Sequence, residues 1–307
     1  MTLLIGSLQL GLLYGVMVLG IYISFRILNV PDLTAEGSFT FGLAVSAVGA
    51  VSGHPFLGLF GAAAAGGLAG SFTGLLQTRL QIHPVLTGIL TMSGLYSINM
   101  LVLGGTPNLT LIGKDTLFSL AVAAGGGMDK ELVRLGLSFL AAALCTAFLA
   151  LFFRTRLGLC IRATGDNADM VRASSINVDR MKIISLALSN GLIALCGGLI
   201  AQYQSFADIN SGVGILVVGL ASVIIGEAVC GRRFVTMGLV SAVFGSVVYR
   251  YIIAAATKAD WFPAYMLKLV SALIVTLALA LPAIREMLNV RRIRKAGKGG
   301  GADGIHA

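Results

Sequence analysis

Arg154-Thr-Arg-Leu-Gly-Leu-Cys-Ile-Arg-Ala-Thr-Gly-Asp-Asn-Ala-Asp-Met-Val-Arg-Ala-Ser-Ser-Ile-Asn-Val-Asp-Arg180 is the one long charged stretch in the middle of an otherwise apolar chain. A few polar residues suffice to join two membrane helices. A segment this long, alternating Arg and Asp with helix-start and helix-stop residues built in, reads as a surface that something outside the membrane docks on.

What flanks it decides the fold. Hydrophobic residues make up 57% of the chain, charged residues only 11%, and the mean hydropathy is +0.92, far from the balance of a soluble domain. A bilayer core of about 30 Å needs roughly 20 apolar residues per helix, against alternating strands of about ten residues for a barrel. Apolar stretches cover 3–25, 37–52, 56–77, 84–104, 134–153, 183–204, 212–230, 235–257 and 265–284. The expected fold is therefore all-α: a polytopic membrane domain over 1–284 with about nine (8–10) transmembrane helices. The loop 154–182 supplies a helix outside the bilayer, and 285–307 forms a basic tail. The weakly apolar patch Leu117 to Ala124 reads as loop or as a short re-entrant segment.

Positive charge gathers on the cytoplasmic side of short loops. With the N-terminus outside, 16 of the 22 cations fall on inner loops and the tail, among them Arg26, Arg79, Arg162, Arg232 and Arg291. Lys114, Lys130, Arg134, Arg250, Lys258 and Lys268 fall in or near outer segments. This orientation makes the C-terminus cytoplasmic. The formal charge of +9 is spread over these loops rather than over a soluble face, so it points to anionic lipid and not to nucleic acid. Met1 to Ser24 lacks a basic start and a cleavage site, and reads as a retained first span.

Enzymatic chemistry finds no support. The three histidines, His54, His83 and His306, are scattered; H-E-x-x-H, G-x-S-x-G and a P-loop are missing. No metal or cofactor site is expected on this chain, and any ATPase must be another polypeptide. Cys145, Cys160, Cys196 and Cys230 form no ligand or disulfide pattern and read as packing residues.

Several residues stand out within the spans. Gly66, Gly70 and Gly74 form a small-x-x-x-small ladder that lets two backbones approach; the partner is another span or a second copy. The fourth span is the most polar, with Thr87 and Thr91 on one face and Asn99 further on. The sixth carries Ser185, Ser189, Asn190 and Gln202. Two readings are open for Thr87, Thr91, Asn99, Ser189 and Asn190: interhelical hydrogen bonds, or the wall of a translocation path. Glu227 and Glu36 are the acids nearest a span, both assigned to inner ends. Glu227 can pair with Arg232 or Arg233, as a structural ion pair or a gate. In the loop, Gly165 permits a turn, Asp166 caps a short helix to about Ser175, Arg172 lies in its last turn, and Asn177 or Asp179 caps the next span.

The pattern R-x-R-x-G-x-x-x-R-A-x-G-x-N, followed by Ile176-Asn-Val-Asp-Arg180, resembles the coupling segment of bacterial ABC importer permeases of the branched-chain amino acid and ribose branch. Gly11-Leu-Leu-Tyr-Gly15, Ser24 to Thr40, Gly226-Glu227 and Gly231-Arg-Arg233 fit one subgroup of it. The motifs span most of residues 10–285; the outer loop 105–133 is where the resemblance is least.

The resemblance implies a permease of the bacterial cytoplasmic membrane that pairs with a second copy as a homodimer. It implies two cytoplasmic ABC ATPase subunits holding ATP and Mg²⁺, and an extracytoplasmic solute-binding protein. Arg162, Ala163, Gly165, Asp166, Asn167 and Met170 would then sit at the ATPase contact. The implied cargo is an amino acid or similar small organic solute, with sugar or nucleoside as the alternative within the class. An ion-coupled secondary transporter and a membrane scaffold are the competing classes.

Overall fold

The computed structural model describes residues 2–125, 129–231 and 234–258, together with Leu269, Ala272, Leu273, Thr276 and Ala280. Helix α1 (Thr2–Tyr22) continues into a π-helical stretch, Ile23–Ile27, and stops. Pro31 lacks the amide and the room to carry a helix onward, and Asn29 turns the chain with a left-handed φ of 54°, which Asn tolerates better than a branched residue. Helix α2 (Thr34–Val51) then starts.

Helices α3 (Pro55–Arg79) and α4 (Pro84–Val102) both carry Pro in the first turn, where a missing N–H costs nothing. Both His-Pro pairs thus mark helix starts. Beyond strand β1 (Asn108–Thr110) lies α5 (Leu117–Ala124), closed at its start by reciprocal bonds between Thr116 and Ser119. Next come α6 (Lys130–Phe152), α7 (Arg156–Asp166), α8 (Ala168–Ala173) and the long α9 (Val178–Gln204). Strand β2 (Phe206–Asp208) pairs antiparallel with β1, Leu109 opposite Ala207. A 3-10 turn at Ile209–Gly212 leads to α10 (Ile215–Cys230), and α11 (Val235–Lys258) completes the described helices.

Among the described residues, seven helical segments are long and apolar enough to cross a membrane. The expected stretch 37–52 falls on α2, which is more polar; most of its residues are buried, so protein rather than lipid surrounds it. Leu117–Ala124 is a helix and not loop. The stretch 265–284 lies outside the described residues except for the five named above, as does the tail 285–307.

Helix α9 is the axis of the bundle, enclosed by α1, α2 and α3. Gly66 and Gly70 bring α3 onto α9 so closely that a Cβ at Gly66 would overlap Asn190 O and one at Gly70 would overlap Leu186 O. The glycine ladder therefore packs within the chain. Gly226 meets Ser241 of α11 in the same way, and a Cβ at Gly11 would come within 2.8 Å of the Val247 backbone. In lipid, where burial of apolar surface does not drive helices together, such contacts supply the association.

Candidate coupling surface and membrane cavities

The 154–182 segment folds into two short helices rather than one. Thr155 accepts a bond from Gly158 N at 3.3 Å and starts α7. Gly158, Ile161 and Thr164, three residues apart, are buried on one face. The opposite face exposes Leu159, Arg162, Ala163 and Asp166. Asp166 ends α7 and caps nothing, a correction to the expected cap. The cap of α8 is Asn167, whose extended backbone lets its Oδ1 accept from Asp169 N (3.1 Å) and Met170 N (3.0 Å). Asn177 Oδ1 accepts from Arg180 N and starts α9, which settles the choice between Asn177 and Asp179. Met170 is 70% exposed. The Asp169–Arg172 pair at 3.6 Å is exposed on both sides and worth little.

Gly165 makes no turn. It lies within α7, and its value is size: a Cβ there would overlap Ile27 O. Asn29 Nδ2 donates to Gly165 O at 3.1 Å. The exposed face of α7 is thereby fixed to the chain reversal between α1 and α2.

Between α7 and the ends of α1 and α10 is a polar cavity of ≈ 360 Å³, lined by Tyr22, Arg26, Arg162, Asp166, Glu227 and Phe234. Arg26 forms an ion pair with the Glu227 carboxylate, 201 residues away in sequence. The expected partner Arg232 lies outside the described residues.

The reversal at Leu28–Leu33 reaches into the bundle. Asp32, fully buried, accepts from Thr34 N at 2.9 Å and from Asn190 Nδ2 at 2.6 Å. Asn190 is twelve residues into α9, about 18 Å along its axis. Thr34, Thr73 and Thr91 hydroxyls continue the polar layer at 2.9 and 3.1 Å. Ser189 donates to Gly20 O at 2.7 Å, and Thr87 to His83 O within its own helix region at 3.1 Å. Thr91, Ser189 and Asn190 are thus buried and bonded between segments, whereas Thr87 is buried and bonds back to the start of its own helix. Each such bond contributes about 0.6 kcal/mol in a membrane, so the layer fixes register more than it adds stability.

Asn99 differs. Its Nδ2 donates to Gly37 O at 3.3 Å and its Oδ1, like that of Asn190, is buried without a partner, but Asn99 alone of the five lines an open cavity, of ≈ 430 Å³, with Glu36, Thr40, Ser93, Tyr96 and Gly212. Glu36 Oε1 accepts from Gly214 N at 3.0 Å, at the start of α10, whereas Glu227 is thirteen residues on, about 20 Å further along that helix. The two acids are therefore at different depths, which corrects the assignment of both to one membrane edge. Among the described residues no three His, Cys, Asp or Glu side chains come together to hold a metal ion.

A family model described as branched-chain amino acid transport system / permease component matches residues 3–279. The chain belongs to this permease family. The permease is 35% identical over 271 residues to the "Tyrosine transport system permease protein" of Clostridioides difficile (strain R20291), covering 88% of each chain. It is 35% identical over 229 residues to the "Uncharacterized protein RP368" of Rickettsia prowazekii (strain Madrid E), covering 75% of this chain and 78% of that one. With the "Ribose import permease protein RbsC" of Escherichia coli (strain K12) it shares 28% over 201 residues, 65% of this chain and 60% of that one. No solved structure matches.

Proposed function

We propose that this permease is the membrane-spanning subunit of an ATP-binding-cassette importer, working as a homodimer in the bacterial cytoplasmic membrane. A separate ATPase docks on the cytoplasmic face of α7 and α8, and an external binding protein delivers a small, amino acid-like solute. The single observation that carries this reading is the α7–α8 surface. Its apolar residues Leu159, Ala163 and Met170 are exposed beside Arg162 and Asp166, while Gly165 and Asn29 tie it to the start of the bundle. Closure of an ATPase pair on nucleotide would pull on α7 and, through Ile27–Asn29 and the Arg26–Glu227 pair, on α1 and α10. The cavity with Glu36 and Asn99 is the candidate segment of the route.

The test is uptake into proteoliposomes by the complex isolated with its ATPase, using radiolabelled L-tyrosine and D-ribose with the binding protein present. ATP-dependent accumulation that Arg162→Glu abolishes, with the folded permease unchanged in amount, supports the reading; accumulation indifferent to ATP rejects it. An ion-driven carrier is the second reading, motivated by the buried Asp32 carboxylate beside an interrupted helix. Uptake driven by an imposed Na⁺ or proton gradient without ATP would establish that reading instead.

A further inference from the structure

Across the turn Ser211–Gly214 from the Glu36 cavity is a second cavity, of ≈ 470 Å³, whose walls include Tyr14, Val213, Val217, Tyr249, Arg250 and Ile253. Arg250 belongs to α11 and stands eight residues before Lys258, about 12 Å of helix from that end. Its guanidinium carbon lies 3.7 Å from the centre of the Tyr14 ring, and Tyr14 in turn stacks on Phe39. Among the described residues no carboxylate pairs with Arg250, and its Nε is buried without a hydrogen-bond partner.

A guanidinium presents five N–H donors and is charged at every accessible pH. Held inside a membrane helix with no acid paired to it among the described residues, it keeps much of its desolvation cost, offset in part by the Tyr14 side chain. An arriving anion would supply what is missing.

We propose that this cavity is an anion subsite on the solute route, in which Arg250 takes the carboxylate of a small organic acid. The apolar body of that solute lies against Tyr14, Val217 and Ile253. The proposal rests on the transport reading above and narrows its cargo. A solute with both an amine and a carboxylate meets Glu36 on one side of the turn and Arg250 on the other, whereas a neutral sugar leaves the guanidinium unmatched. The aromatic and aliphatic lining disfavours small, strongly hydrated anions.

The test uses the complex isolated with its ATPase, placed in nanodiscs of phosphatidylcholine alone, with radiolabelled L-tyrosine, L-tyrosinamide and D-ribose as probes in equilibrium dialysis. L-tyrosine should be held roughly tenfold or more tightly than its amide. That preference should vanish in Arg250→Gln and survive in part in Arg250→Lys. The tyrosine-to-amide comparison needs no variant, so it stands even where Arg250→Gln fails to fold. Equal retention of acid and amide, retention of ribose alone, retention of no probe, or a preference unchanged in folded Arg250→Gln overturns the subsite. In nanodiscs containing phosphatidylglycerol, a lipid phosphate crosslinked at position 250 and undisplaced by L-tyrosine assigns the anion to the headgroup and overturns it as well. ATPase retained in a preparation without tyrosine preference rejects the subsite alone; absence of any ATPase rejects the transport reading.

Discussion

Asn29 donates its side-chain amide to the backbone oxygen of Gly165 at 3.1 Å, joining the first chain reversal of the bundle to the only long hydrophilic segment among the described residues. The residues are 136 apart in sequence. Because Gly165 sits directly on Ile27, any push on α7 reaches the end of α1 through backbone rather than through a flexible side chain.

Gly165→Ala should displace α7 from Ile27. Overpacking of this kind costs about 1–3 kcal/mol, and here the strain is relieved by lifting a short surface helix. ATP-driven uptake should fall strongly while thermal unfolding of the membrane domain in detergent changes little. Asn29→Gly, which removes one bond and tolerates the left-handed φ of 54° at this position, should give a milder loss in the same uptake measurement.

Glu227→Gln keeps the shape of the side chain and removes the ion pair with Arg26. If this pair transmits movement between α7 and α10, uptake per ATP consumed should fall by roughly tenfold, the scale of a coupling free energy of about 1–3 kcal/mol. The quantity of folded protein recovered should be unchanged; a drop in recovery would make the pair purely structural.

Gly70→Ala should destabilise the bundle by about 1–3 kcal/mol, because the added methyl meets Leu186 O on the neighbouring backbone. Gly67→Ala is the control, since a Cβ there would lie an ordinary 3.6 Å from Ala187 O. Thermal denaturation in detergent separates the two, and equal melting temperatures would contradict the close α3–α9 contact.

Asp32→Asn leaves two amides facing each other at the Asn190 contact. Losing a bond while burying its donor costs about 1–3 kcal/mol. The exchange Asp32→Asn with Asn190→Asp should recover part of that, measured as a double-mutant cycle on unfolding; strictly additive losses would show that the two residues do not interact.

The helical bundle was legible because its signals are compositional and repeat along the chain: eight of the nine expected apolar stretches fall on α1, α2, α3, α4, α6, α9, α10 and α11. The glycine ladder was legible as a contact surface, but its partner was not, since the partner α9 begins about a hundred residues away. Asp32 gave no signal because a Pro-Asp pair at a span boundary reads as loop; only the fold shows that this loop returns into the bundle. Glu227 found Arg26 over a distance that local spacing cannot anticipate. By sign and position Arg250 falls with the outer cations, and nothing in its sequence neighbours foretells the Tyr14 ring or the cavity. Asp166 and Asn167 are adjacent and both cap helices well, so the expectation of Asp166 misses the cap by one residue, and only the extended backbone at Asn167 identifies it.

Docking of an ATPase on α7 and α8 is tested most directly by photo-crosslinking in the native membrane from a crosslinking amino acid at Met170, with Phe60, 74% exposed on the lipid-length helix α3, as the comparison site. Position 170, and not position 60, should capture an ATP-hydrolysing subunit identified by mass spectrometry, and Arg162→Glu should remove the product. Capture of lipid alone at position 170 in membranes still active for ATP-driven uptake would contradict such docking.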